Sequence, residues 1–193
     1  LRVAMIGQKG YPPVHGGIEK HVAELAARLP QLGCEVEIYS RPHYSSASGP
    51  ADLPGVLVRK LPSIPTKHLD AITHSLLATG HTLFQDVDVV HYHALGPGLL
   101  SGLPRWLRRR PTVVTVHGLD WQRDKWGRVA RTVLKLGESG AVRLPDATIV
   151  VSQALREHYR AVHARETRYI PNGIAPAVYR APELIRERGI DGP

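Results

Sequence analysis

Gly7-Gln8-Lys9-Gly10-Tyr11-Pro12-Pro13-Val14-His15-Gly16-Gly17 is the stretch whose reading decides the fold. Before it, Val3–Ile6 is a short apolar run, as expected of a strand covered on both faces. After it, Ile18, Val22, Leu25, Ala26 and Leu29 fall on one helical face, with Glu19, Lys20, Glu24, Arg28 and Gln31 placed opposite. Gly33 is a natural stop for that helix. The order is therefore strand, glycine-rich turn, helix. A glycine pair opening a helix lets free backbone N–H groups approach an anion, and the helix dipole adds positive potential. A diphosphate fits such a turn, and so does the plainer reading of Gly16-Gly17 as a tight turn alone.

Working outward, further strand-like runs occur at Val36–Tyr39, Val56–Leu61, Val87–Tyr92, Thr112–Val116, Ala147–Val151 and Thr167–Ile170. Helical stretches are expected near His68–Phe84, Gly98–Arg109, Lys125–Arg143 and Gln153–Ala161. This alternation predicts an α/β fold: a Rossmann-like, doubly wound, mostly parallel sheet of about seven strands with helices on both faces. Pro42–Pro54 and the segment from Pro171 onward read as loops.

Composition sets outer bounds. The 193 residues are 42% hydrophobic and 22% charged, enough apolar material for one domain and not the pattern of a disordered chain. The single cysteine, Cys34, excludes an internal disulfide framework. Arg2–Gly7 reads as a strand rather than a signal segment, and no apolar run approaches the length of a membrane span. A net charge of +8 favours anionic partners. Nucleic acid is not expected, because no recognisable binding motif or aromatic-interleaved basic stripe accompanies the charge. Leu99–Arg110 has two readings: a sheet-packing helix with a basic last turn, or a contact with an anionic membrane through Trp106 and its arginines.

Histidines mark the ends of two strands, in Asp88-Val89-Val90-His91-Tyr92-His93 and Val114-Thr115-Val116-His117-Gly118. Ligands of open α/β sheets bind outside the carboxyl ends of the strands, near the switch point. His93, His117 and the Gly16-Gly17 turn should therefore emerge together, while His91 reads as an inward, satisfied residue. An imidazole there can bond a sugar hydroxyl or steady developing charge. His91 and His93 share a strand face, but no carboxylate or cysteine set stands at ligand spacing, so no metal is expected. Glu19 and Glu24 are the nearby acids, Glu24 as a solvated helix charge. Neither the nucleotide-hydrolase phosphate loop nor a dinucleotide fingerprint fits, since no Gly-Lys-Ser/Thr follows and the second strand ends Tyr39-Ser40-Arg41. Nothing supports a hydrolase triad.

Five motifs then stand in order: Val3–Gly7 with Gly16-Gly17-Ile18-Glu19, Asp88–His93, Thr115-Val116-His117-Gly118-Leu119-Asp120, Val150-Val151-Ser152 and Ile170-Pro171-Asn172-Gly173-Ile174. Together they resemble the N-terminal domain of the retaining family 4 glycosyltransferases of GT-B fold. Within that family the likeness is to rhamnosyltransferase-like members, extended by Leu61-Pro62-Ser63-Ile64 and Lys67-His68-Leu69-Asp70. The resemblance implies that residues 1–170 form the acceptor-side domain. Residues 171–193 would be the exit toward a C-terminal donor-binding domain lying outside this chain, without which no transfer is expected. It implies Gly16 and Gly17 at the donor diphosphate, His117 as the catalytic residue beside the sugar, and His93, Asp120 and Glu19 in contact with acceptor or sugar. Asn172 and Gly173 would be the interdomain hinge. The implied partners are a nucleotide-diphosphate sugar and a carbohydrate or lipid-linked, cell-envelope acceptor, with no cofactor or metal. A cytoplasmic location with peripheral contact at the inner face of the membrane goes with that reading. The reading of another class is a non-catalytic Rossmann-like module for a phosphorylated ligand.

Overall fold

The computed structural model describes residues 1–13, 16–44, 53–66, 69–122 and 127–173. Seven strands form one sheet, β1 (Arg2–Ile6), β2 (Glu35–Ser40), β3 (Val56–Lys60), β4 (Val89–His93), β5 (Thr112–Val116), β6 (Ala147–Val150) and β7 (Arg168–Tyr169). Their spatial order is β3-β2-β1-β4-β5-β6-β7, and every pairing is parallel. All seven expected strands are present, with bounds shifted by a residue or two. The order reverses between β1 and β4, where Met5 lies opposite Ile38 on one side and His91 on the other. That gap is the switch point of the sheet.

Side chains alternate across the sheet and sort its two faces. Val3, Met5, Val36 and Ile38 pack beneath Val22 and Ala26 of α1 (Gly17–Arg28). On the other side Ala4, Ile6, Tyr92, Val114 and Val150 meet four helices. These are α2 (Asp70–Thr82) through Ala78, α3 (Leu95–Gly98) through Leu95, α5 (Arg128–Arg143) through Ala141, and α6 (Gln153–His163) through Leu155 and Tyr159. The doubly wound reading holds. Three tight turns of 3-10 helix, Leu29–Leu32, Pro42–Tyr44 and Asp120–Gln122, complete the described elements.

Three expectations need correction. The helix expected over Gly98–Arg109 is two pieces, α3 and then α4 (Gly102–Arg108). Pro104 lacks the N–H that a continuous helix would donate to the Leu100 carbonyl, and Leu103 N–H bonds that carbonyl instead, at 3.0 Å. Gly33, at φ 77°, terminates the Leu29–Leu32 turn rather than α1 itself, because Pro30 interrupts the α ladder first. Glu19, assigned to the solvated side of α1, is buried. Parts of other expectations, namely Val14, His15, residues 45–52, Lys67, His68, Lys125 and the tail from Ile174, lie outside the described residues. Among the described residues no helix is long and apolar enough to cross a membrane.

Candidate active site

The turn after β1 is held from three sides. Gln8 donates its amide to the Tyr39 carbonyl at 2.8 Å, Tyr11 N–H donates to Ser40 Oγ at 3.0 Å, and Arg41 N–H donates to the Lys9 carbonyl at 2.9 Å. Gly7, at φ 120°, lies so close to β4 that a Cβ would sit 2.2 Å from the His93 carbonyl oxygen. Only glycine fits this contact between the two switch-point strands. Glu19 completes the clamp: its Oε1 accepts the Lys9 N–H at 3.0 Å, and its Oε2 fills the space a Gly16 side chain would need. Glu19 thus braces the turn from inside, tying the loop after β1 to the first turn of α1.

Gly16, at φ 111°, caps α1 with no side-chain hydrogen bond, and a Cβ at Gly17 would meet nothing within 4 Å. A helix N-terminus opened by glycines and without a side-chain cap is the arrangement that receives an anion.

One turn further along α1, His21 reaches over the ends of β4 and β5. Its ring stands edge-on to His117 with centroids 4.8 Å apart, and 5.6 Å from the His93 ring. His93 Nδ1 lies 3.3 Å from His117 Nε2, and His91 Nε2 lies 2.7 Å from Thr115 Oγ1. His91, His93, Thr115 and His117 share the α1 side because β4 and β5 run in register, His91 opposite Val113 and His93 opposite Thr115. His91 is satisfied as expected; His93 is fully buried with Nε2 unpartnered.

Burial governs the charge of this cluster. It lowers His117 to about 4, aided by neighbouring His21, and lowers His91 to about 3, aided by His21 and His117. His93 is held well below the ordinary imidazole value, first by burial and then by its three histidine neighbours. Burial also lowers His21, opposed by a hydrogen bond with the Asn172 side chain. At neutral pH the four rings are uncharged, each with one N–H and one lone pair, suited to hydroxyl recognition rather than to ion pairing.

Asn172 therefore stands beside His21 at the rim of the site, and Asp120 opens the turn that follows β5, half-buried. Among the described residues two sets offer three ligand atoms within 4.8 Å of one another, His21 with His93 and His117, and Glu138 with His158 and His163. In the second set Glu138 Oε1 already accepts from His158 at 2.6 Å and His163 at 2.7 Å, while Oε2 accepts the Trp121 indole N–H. That set is a hydrogen-bonded strut joining α5, α6 and the turn after β5. Sequence reasoning missed His21 and this strut. His21 carried one usable signal, its position one turn after the glycine pair; the strut carried none, since its four members span residues 121–163 without a common motif.

Residues 15–178 match the sequence profile of Glycosyltransferase Family 4. The chain belongs to that family. The family 4 chain is 28% identical over 208 residues to an alpha-maltose-1-phosphate synthase of Mycolicibacterium smegmatis, covering 99% of itself and 51% of that protein. It thus spans about half the length of the curated relatives it matches. Among solved structures it superposes on sucrose-phosphate synthase from Thermosynechococcus elongatus with a TM-score of 0.76 at 18% identity, over 98% of this chain and 53% of that one. It also superposes on Anabaena HepE in complex with UDP-glucose with a TM-score of 0.66 at 17% identity, over 97% and 50% of the two chains. These two likenesses show the fold, and the half of each neighbour that is covered corresponds to one Rossmann-like unit of the family 4 chain.

Proposed function

We propose that this family 4 chain is the acceptor-side half of a retaining glycosyltransferase. The reaction it serves moves a sugar from a nucleotide-diphosphate sugar to a carbohydrate or lipid-linked acceptor of the cell envelope, on the cytoplasmic side. The observation that carries the reading is the convergence of His21, His93 and His117 beside the uncapped N-terminus of α1. One small volume then offers both an anion seat and neutral hydroxyl-binding imidazoles.

In this reading the bond between the anomeric carbon and the diphosphate breaks as the acceptor hydroxyl attacks from the same face and passes its proton to the departing phosphate oxygen. The N–H groups that follow Gly16 and Gly17 meet the negative charge gathering on the departing phosphate, helped by the helix dipole. His117 bonds a hydroxyl of the transferred sugar as a neutral ring, and His93 beneath it fixes its orientation through the 3.3 Å contact. Asp120 lies on the acceptor side, and Asn172-Gly173 forms the hinge toward a donor-binding half. No metal takes part, because the leaving charge is met by backbone N–H groups. The structural neighbour in complex with UDP-glucose supports a nucleotide sugar as the donor class. Leu61-Pro62-Ser63-Ile64 and Lys67-His68-Leu69-Asp70 support placement in the rhamnosyltransferase-like branch.

Calorimetric titration of the chain with UDP and with ADP tests the anion seat. Weak binding is expected for the chain alone, with loss of about tenfold or more in Gly17→Val, whose added Cβ would meet no protein atom within 4 Å and whose branched bulk would stand beside the first N–H groups of α1. Unchanged affinity in that variant would sink the assignment.

A further inference from the structure

α2 presents its two sides in the opposite sense from an ordinary surface helix. Toward the sheet it turns Asp70, His74, Ser75, Ala78, Thr79 and Thr82, all buried. Most of these polar groups are met inside: Asp70 pairs with Arg41 and accepts from Ser63, Ser75 bonds the Ala71 carbonyl, and Thr79 bonds the Tyr92 hydroxyl at 3.0 Å. Toward solvent α2 turns Ile72, Leu76 and Leu77, continuing from Leu69 just before it. The one charged residue in α2 is Asp70, so its outward side carries no charge at all. A helix face meant for water alone would be expected to carry charged or polar side chains.

The neighbouring α4 extends this surface. It lies against α2, and Leu103, Trp106 and Leu107 project from it, Trp106 with 64% of its surface exposed. Phe84, 79% exposed just after α2, sits beneath the Arg108 guanidinium at 5.6 Å and joins the two helices. Eight large apolar side chains are thus left in solvent on adjoining segments, well beyond the scattered exposure usual for a surface.

The charges at its border are one-sided. Arg105 is tied to Asp146 and the Leu144 carbonyl, and Arg110 to the Thr82 carbonyl. Arg108 and Arg109 are exposed and have no carboxylate partner among the described residues. The nearest acids in sequence to Phe84 are already engaged, Asp86 with the Arg2 side chain and Asp88 with the Arg2 N–H. The border therefore presents unopposed guanidinium groups next to Trp, Phe and Leu.

We propose that the α2–α4 face is a membrane-docking surface that seats on a bilayer containing anionic lipid. Trp106, Phe84 and the leucines enter the headgroup–acyl boundary, while Arg108 and Arg109 pair with lipid phosphates above them. A bilayer suits this surface because the outward side of α2 offers no hydrogen-bonding pattern for a partner protein to read, and the net charge of +8 adds attraction over a Debye length. The face packs on the side of the sheet opposite α1, so substitutions there leave the histidine cluster untouched. Its failure is thereby separable from failure of the glycosyltransferase reading.

The test is co-sedimentation of the 193-residue chain with vesicles of phosphatidylcholine alone and with about one-third phosphatidylglycerol. Binding to the anionic vesicles is expected to be at least tenfold tighter, and to weaken in high salt. Arg108→Ser with Arg109→Ser should weaken it by about fivefold per arginine, and Leu76→Ser with Trp106→Ser should weaken it by tenfold or more. All four positions are exposed, so far-UV circular dichroism and urea midpoints should match the parent. Nucleotide binding at the α1 turn should be unchanged in every variant. Equal binding to both vesicle types, no binding to either, or arginine variants that bind as the parent would overturn the proposal. So would a concentration-dependent dimer abolished by the Leu76 and Trp106 changes, which would assign the face to a second copy.

Discussion

Gly7 and Gly17 flank the same turn, and an added methyl group should move stability in opposite directions at the two sites. At Gly7 the backbone is at φ 120°, where a side chain costs about 1–3 kcal/mol. The new Cβ would also stand 2.2 Å from the His93 carbonyl oxygen, a backbone atom that can retreat only if β1 and β4 separate at the switch point. Forcing an extra carbon into packed structure adds about 1–3 kcal/mol. Gly7→Ala should therefore lose about 2–6 kcal/mol in all. At Gly17 the backbone is helical and a Cβ meets nothing within 4 Å. Gly17→Ala should gain about 0.4–1 kcal/mol by restricting the unfolded chain. Urea unfolding followed by far-UV circular dichroism reads both. With an m value of about 2–3 kcal/mol/M, Gly7→Ala should lower the midpoint by roughly 0.7–3 M while Gly17→Ala raises it slightly. A Gly7→Ala midpoint within about 0.3 M of the parent would refute the account of the switch-point contact.

The buried histidines make the fold acid-sensitive. His74 and His117 are lowered to about 4 and His91 to about 3, so between pH 6.5 and 4 the unfolded chain binds protons that the folded chain refuses. Stability should be fully present above pH 6.5 and fall as the pH drops toward 4, by up to about 1.4 kcal/mol per pH unit for each ring. A urea midpoint that is flat from pH 7 to 5 would contradict this. Glu138→Ala should cost about 2–4 kcal/mol, because it strips the shared acceptor from Trp121, His158 and His163 at once. A thermal melt unchanged from the parent would show that the strut is dispensable. Chelation with EDTA is expected to leave nucleotide affinity as it was, and a clear loss on chelation would bring the His21, His93 and His117 nitrogens forward as metal ligands.

The sequence by itself determined the order of elements and which residues the candidate site is built from. Apolar runs such as Val113-Val114 specify strands buried on both faces, and the glycine turn into α1 fixes where an anion can approach. His93 and His117 were legible because they end strands, and strand ends are where such sheets bind ligands. Other features waited on the tertiary structure. His21 joins the cluster only because α1 crosses above β4 and β5, elements about 70 and 95 residues further along the chain. Glu19 has the spacing of a solvated residue, yet it is buried because Lys9 N–H lies beneath it. Glu138, His158 and His163 meet because α5 and α6 pack side by side. Most instructive is α2, whose period marks a helix without saying which side faces in. Local periodicity encodes the geometry of an element; which of its sides is covered is settled by the neighbours that parallel pairing brings from elsewhere in the chain. Here those neighbours, Arg41 and Tyr92 among them, took the polar side of α2 and left the leucines outside.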